Sequence, residues 1–330
     1  MSILLLLVLT HWSRIAVGEE PTPQQPLDQT EQGHVEAWLE KGYALLRGRD
    51  ASPDAAAAIP WLRKAAEQGN GMAQIQLAEL YVTGQGVAPD TKAAIRWYQM
   101  AAEQGIATAQ FYLAELHFRG EEGSLGIQEA VRWYGKAAEQ GIAISAVKLA
   151  DILINGEGVE PDPEEAMRWY RKAADLGNTD ACLALAYRYY NGFGVEKDPL
   201  MAMRWYLQAA EQGNAEAQLK LAYQYYSGRG VPKDDRSAFQ WFRRAAEQGL
   251  AEAQLGLAGL YAYGQGTDRD YVAAYVWFNL AATGDEADEL TKRARAGRAM
   301  AAKQLTPDQL ADAQRLAAER FFNRRPSEQP

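Results

Sequence analysis

The pentapeptide AAEQG stands at Ala65–Gly69 and returns at Ala101–Gly105, Ala137–Gly141, Ala209–Gly213 and Ala245–Gly249. Five copies of one short string are either a repeated ligand signature or the punctuation of a repeated structural unit. The residues around them decide between the two. Seven of the nine tryptophans, Trp61, Trp97, Trp133, Trp169, Trp205, Trp241 and Trp277, are spaced 36 residues apart. An alanine lies three positions before each, from Ala58 to Ala274. Leu-Ala pairs from Leu77-Ala78 to Leu257-Ala258 and glycines from Gly48 to Gly264 keep the same beat. Residues 34–285 therefore read as seven copies of one unit: 34–69, 70–105, 106–141, 142–177, 178–213, 214–249 and 250–285.

Each unit reads as two helices. In 70–105, Ala73, Leu77, Ala78 and Tyr81 fall on one helical face. Gly84-Gln85-Gly86 then breaks the helix, because glycine reaches positive φ at little cost. Asp90 precedes the second helix, as Asp54, Asp162, Asp198, Asp234 and Asp270 do elsewhere, where a carboxylate can accept from first-turn amides. Ala94, Trp97, Tyr98, Ala101 and Ala102 share a face of that second helix, and Gly105 ends it. No segment alternates with period two, so no strands are expected. A two-helix unit cannot bury its own apolar face and must stack on its neighbours, with Trp and Tyr filling the gaps between small residues. On this reading a buried tryptophan is worth roughly 3–5 kcal/mol.

These elements, AQ-x-x-LA-x-x-Y, G-x-G-V, A-x-x-WY and AAEQG, resemble the Sel-1-like repeat, a relative of the tetratricopeptide repeat. The resemblance covers 34–285. It implies an all-α fold, a right-handed α/α superhelical solenoid, and a role as an interaction scaffold, often in bacterial exported proteins or signalling assemblies. The tail Thr306–Arg320 is similar to the helix that closes many bacterial members, and its Thr306-Pro307-Asp308-Gln309 start has the form of a capping box. Unit 106–141 departs from the pattern: it has Gly120-Glu121-Glu122-Gly123, with Gly126 where Asp is expected, so its loop should be reshaped. Unit 34–69 lacks the Leu-Ala pair, which suits a terminal unit.

The ends read differently. Ile3–Leu9 is an apolar run too short to span a bilayer, followed by Ala16-Val17-Gly18 with the small-x-small form of a cleavage site. Residues 1–18 are expected to be a signal peptide, or an inner-membrane anchor if uncleaved, and 19–33 a flexible Pro/Gln/Glu linker. Residues 286–330 should hold capping helices and a disordered tail. Export to the periplasm or medium is the expectation; a membrane is a partner only if the leader is retained.

Little in the chain points to chemistry. A net charge of −9 and the lack of clustered basic residues argue against nucleic acid. Cys182 is the single cysteine, so neither an intrachain disulfide nor a cysteine-based zinc site is available. Of three histidines, His117 merely replaces the tyrosine of other units. No phosphate loop and no H-E-x-x-H occurs. The glutamates of AAEQG recur once per unit, too far apart for a paired acid–base site. No cofactor and no metal are expected, and no enzymatic activity.

What varies between copies is more informative. One position on the outer stripe of the first helix reads Tyr43, Glu79, Glu115, Asp151, Tyr187, Tyr223 and Gly259. Another reads Leu46, Val82, Phe118, Ile154, Tyr190, Tyr226 and Ala262. By resemblance to tetratricopeptide arrays this stripe lines the concave groove, and it holds the candidate partner-binding residues: Tyr187, Tyr190, Tyr223, Tyr226, Glu79, Glu115 and Asp151. Tyr189 and Tyr225 are assigned to the core. The leading expectation is a non-enzymatic scaffold binding a protein or peptide partner. The alternatives are an exported cell-wall-binding protein or hydrolase using the acids, and a cytosolic signalling adaptor.

Overall fold

The computed structural model describes residues 29–48, 52–120, 123–285 and 287–322. The leader, most of the expected linker and the end of the tail lie outside the described residues. Among those described there are sixteen α-helices and no strand. The chain divides into two compact units, up to Ser145 and from Ala146 onward. The first contains α1 (Gln29–Arg47), α2 (Ala55–Glu67), α3 (Gly71–Thr83), α4 (Thr91–Glu103), α5 (Ala107–Arg119) and α6 (Gly123–Glu139). Helix α7 (Ala143–Asn155) carries the boundary. The second contains α8 (Pro163–Asp175), α9 (Thr179–Asn191), α10 (Pro199–Glu211), α11 (Ala215–Ser227) and α12 (Asp235–Glu247). It continues with α13 (Ala251–Tyr263), α14 (Tyr271–Ala281), α15 (Glu289–Ala302) and α16 (Pro307–Phe322). Helix α1 begins at Gln29, so the last five residues of the expected 19–33 linker are helical.

In the first unit, and from α8 to α15 in the second, successive helices pack one on the next, whereas α16 packs on α14. Each predicted aspartate caps its helix: Asp54, Asp90, Asp162, Asp198, Asp234 and Asp270 all accept from first-turn amides, at 2.9 to 3.1 Å. Each such cap is worth about 1 kcal/mol. The first helices add a cap not anticipated, with Asn70, Asn178 and Asn214 accepting from the third residue on. The capping box at α16 is reciprocal, Thr306 N–H donating to Gln309 Oε1 at 3.0 Å and Gln309 N–H to Thr306 Oγ1 at 3.3 Å. The loop of 106–141 departs as its sequence suggests: Gly120 is extended (φ −71°), whereas Gly84, Gly192, Gly228 and Gly264 close their helices in the left-handed region.

The core corrects one expectation. Of the seven periodic tryptophans, Trp133 and Trp277 are buried, but Trp61, Trp97, Trp169, Trp205 and Trp241 are only partly so. The fully covered column is the next residue: Leu62, Tyr98, Tyr134, Tyr170, Tyr206, Phe242 and Phe278. Trp61, Trp169 and Trp241 sit at the rim under cationic side chains, with Lys41 4.1 Å from the ring of Trp61, Lys172 5.3 Å from that of Trp169 and Arg244 4.6 Å from that of Trp241. A flat indole with its face to a cation is stable half in water.

The glutamine of AAEQG also proves to be structural. Gln104 donates to Gln74 Oε1 at 2.8 Å, and Gln74 donates to the carbonyl of Ala66 at 3.0 Å. The same ladder joins Gln140, Gln110 and Ala102, and Gln248, Gln218 and Ala210. A glutamine buried between adjacent repeats is thus satisfied at both ends of its amide, which is what allows it in the core. Leu176 replaces the glutamine in the fourth copy, and Ala146 and Cys182 replace its partner in two units. Cys182 is buried, and burial pushes its thiol up to about 11, so it is inert at neutral pH.

Candidate functional site

The first-helix stripe is positioned by the residues behind it. In α3, α5 and α7 its acids face the buried column of the same repeat, 19 residues further on. Tyr134 donates its hydroxyl to Glu115 at 2.5 Å, and Arg119 pairs with the other carboxylate oxygen at 2.6 Å. Tyr170 donates to Asp151. These two acids are held by partners of their own repeat rather than standing free.

Glu79 is held differently. Burial pushes its carboxyl up to about 7, while the Gln76 amide, donating at 2.8 Å, pulls the other way. Tyr43, Tyr98 and Tyr112 face it and are themselves pushed up, mainly by burial and then by that carboxylate. A buried acid with a raised pKa favours the fold while protonated. Its contribution is fully present below the ordinary 4.5 and is lost as pH rises through about 7. Glu79→Gln is therefore expected to gain up to about 3 kcal/mol over wild type at pH 8. At pH 4 the gain should vanish. Thermal denaturation of both proteins at the two pH values checks this, and a pH-independent difference would contradict it.

The tyrosine half of the stripe lies in the second unit. Tyr187, Tyr190 and Tyr223 line one recess of about 240 Å³, with Tyr206 of α10 also in its wall. Tyr187 is 56% exposed and Tyr223 39%. Tyr226 is exposed but outside that lining; its hydroxyl donates to Gln265 at 3.5 Å. Asn191 and Ser227 donate back to the carbonyls of Tyr187 and Tyr223, at 2.9 and 2.7 Å. Tyr223 also donates to Glu252 at 3.0 Å and meets the ring of Phe242 edge-on, centroids 5.1 Å apart. Burial, then Glu216 and the neighbouring tyrosines, push the Tyr206 hydroxyl up to about 12, so it stays protonated and can donate. Tyr189 and Tyr225 are partly buried; Tyr225 packs on the core and Tyr189 accepts from Arg171 at 2.7 Å.

Sequence reasoning missed the other members of the recess: Asn191, Tyr206, Lys220, Gln224, Ser227 and Arg229. A signal for Gln224 was present. Its position reads Leu80, Leu116, Ile152, Arg188, Gln224 and Leu260 along the array, an apolar column interrupted twice. Among the described residues no cluster of His, Cys, Asp or Glu could hold a metal, and no helix is long and apolar enough to cross a membrane.

A two-helix unit repeated at a fixed period, constant in its core and variable along one stripe, defines a helical repeat array. The Sel1 repeat model matches residues 42–70, 71–106, 107–142, 143–178, 179–214, 215–250 and 251–285, and the chain belongs to the Sel1 repeat family, an all-α repeat solenoid. It is similar to the crystal structure of c5321, a protective antigen of uropathogenic Escherichia coli with the same repeat fold. The identity is 34% and the TM-score 0.61, over 89% of this chain and 62% of that one. It is also similar to a Sel1 repeat protein from Oxalobacter formigenes, at 33% identity and TM-score 0.63, over 79% of this chain and 75% of that one. The chain thus spans less than two thirds of the c5321 protein. No curated protein matches it. Sel1 repeat proteins are generally protein-interaction scaffolds.

Proposed function

We propose that this protein is a non-enzymatic scaffold that binds a protein or peptide partner on its first-helix stripe, with Tyr187, Tyr190 and Tyr223 as the central contacts and Tyr226 beside them. The observation that carries the reading is the recess itself, where residues that vary between repeats present exposed tyrosine rings. Tyrosine supplies large apolar area with a polar tip and little entropy to lose, the properties of an interface anchor. Glu79, Glu115 and Asp151 hold the same stripe position in their own repeats, and the bonds of Glu115 and Asp151 to tyrosines of the buried column suit them to shaping the surface more than to proton transfer. The apolar leader supports an exported, periplasmic or secreted location, and a mature N-terminus near Glu19 on sequencing is the expected sign of it.

The test compares wild type with a variant carrying alanine at Tyr187, Tyr190, Tyr223 and Tyr226 as bait for proteins of the native host. A partner recovered by wild type is expected to fall at least about tenfold with the variant, the loss expected for removing hot-spot tyrosines. Equal recovery by a variant with unchanged helical circular dichroism would refute the assignment.

A further inference from the structure

Gln224 is one of two polar residues, with Arg188, in a column that is otherwise apolar, and of the two it is the buried one. Leu80, Ile152 and Leu260, at the same place in their repeats, are each 2% exposed. A leucine there closes the space behind the stripe with no polar atom to satisfy. Gln224 is similarly enclosed, 5% exposed, and among the described residues no donor reaches its Oε1. A buried amide oxygen without a donor weakens a fold, so its place calls for another account. Gln224 lines the tyrosine recess, which is where a donor from outside would arrive.

Two cations share that lining. Lys220 and Arg229 are exposed, and among the described residues neither forms an ion pair, although the chain carries a net charge of −9. Of the acids about the recess, Glu252 accepts from the Tyr223 hydroxyl, and Glu216 is close enough to Tyr206 to act on its hydroxyl. The recess therefore offers unpaired positive charge, aromatic walls and a buried acceptor together.

We propose that this recess binds an extended segment of a protein partner in which an acidic side chain adjoins an apolar one. The carboxylate pairs with Lys220 and Arg229, a backbone N–H of the segment donates to Gln224 Oε1, and the apolar side chain lies on Tyr187, Tyr190 and Tyr206. The inference rests on the scaffold reading above and supplies the chemistry of its ligand. An extended peptide presents these three groups in succession, each matching one element of the recess.

The test is selection of a displayed library of random decapeptides, embedded in the display protein so that no free C-terminus is offered, on the full chain. Recovered peptides are expected to be enriched in Asp or Glu next to Leu, Ile or Phe. Their affinity should drop at least about tenfold for Lys220→Glu/Arg229→Glu, since both positions are exposed and the change reverses the local charge. Gln224→Leu should weaken binding about tenfold, one hydrogen bond's worth, while raising the melting temperature because it removes a buried amide oxygen that has no donor. Peptides recovered without acidic enrichment, or bound equally by Lys220→Glu/Arg229→Glu, would overturn this inference and leave the scaffold reading standing. No enrichment over blank support would remove both. Soluble peptidoglycan fragments that bind wild type in place of any peptide, and lose binding in the same variants, would assign the recess to a glycan and overturn it as well. A Gln224→Leu protein that melts lower than wild type would remove the argument from the interrupted column.

Discussion

Phe242→Ala is expected to cost about 3–5 kcal/mol, the range for deleting a fully buried aromatic ring. The ring is 2% exposed and is enclosed on sides that cannot follow it inward. On one side lies Gly256, where even a Cβ would come within 2.5 Å of the ring, so backbone is already against the aromatic edge. On another the ring meets Tyr223 at 86°. Helix backbone cannot collapse into the vacated volume, so most of it would remain as cavity. The neighbouring Trp241 is larger and bears the more conspicuous sequence signal, yet it is only partly buried and lies under Arg244. Trp241→Ala should therefore cost clearly less than Phe242→Ala in urea denaturation of the two variants. The reverse order would mean that the tryptophan column carries the core after all. Because Phe242 braces Tyr223, its loss should also loosen one wall of the recess.

Period, helix pairs and caps were legible because each depends on residues close in sequence. An aspartate one position before a helix accepts from amides within three residues, and no tertiary arrangement is needed to see it. The split between Trp241 and Phe242 was not legible in the same way. Both lie within the arc of a helix that can face inward, and which one does so is set by the neighbouring helix. The glutamine ladder was hidden for a related reason. Gln104 and Gln74 are 30 residues apart, and their bond exists only once adjacent repeats have stacked. The stripe fell between these cases. Its variability was visible in the sequence, and Tyr187, Tyr190 and Tyr223 do meet in one recess. Glu115 and Asp151 looked like free acids because their tyrosine partners are on another helix. Gln224 was discoverable by reading a buried column for its exceptions rather than a surface stripe for its variation.

The second glycine of each G-x-G pair was read as part of a helix-ending turn, which accounts for only one of the two. Gly264 closes α13 at φ +67°, and a Cβ there would meet no atom nearer than 3.3 Å. Gly266, at φ +70°, lies against the start of α12: a Cβ would stand 2.0 Å from the carbonyl oxygen of Asp235 and 2.4 Å from its carbon. Gly86 approaches Ala55 and Ala56 of α2 in the same manner. The first glycine thus ends a helix, and the second brings the loop onto the N-terminus of the preceding repeat's second helix. Gly264→Ala should cost about 1–2 kcal/mol, the penalty of a left-handed backbone for an L-residue. Gly266→Ala carries that penalty and must also push main chain away from main chain, so at least about 3 kcal/mol is expected. The difference between these two variants, measured in one denaturation series, isolates the close approach from the backbone preference. Equal costs would show that the loop can move off α12 freely, and that the contact between repeats there contributes nothing. A larger loss at Gly266 would instead place part of the coupling between repeats in backbone packed on backbone. Side-chain variation along the stripe leaves that contact untouched, which is how the binding surface can change from copy to copy while the array holds its register.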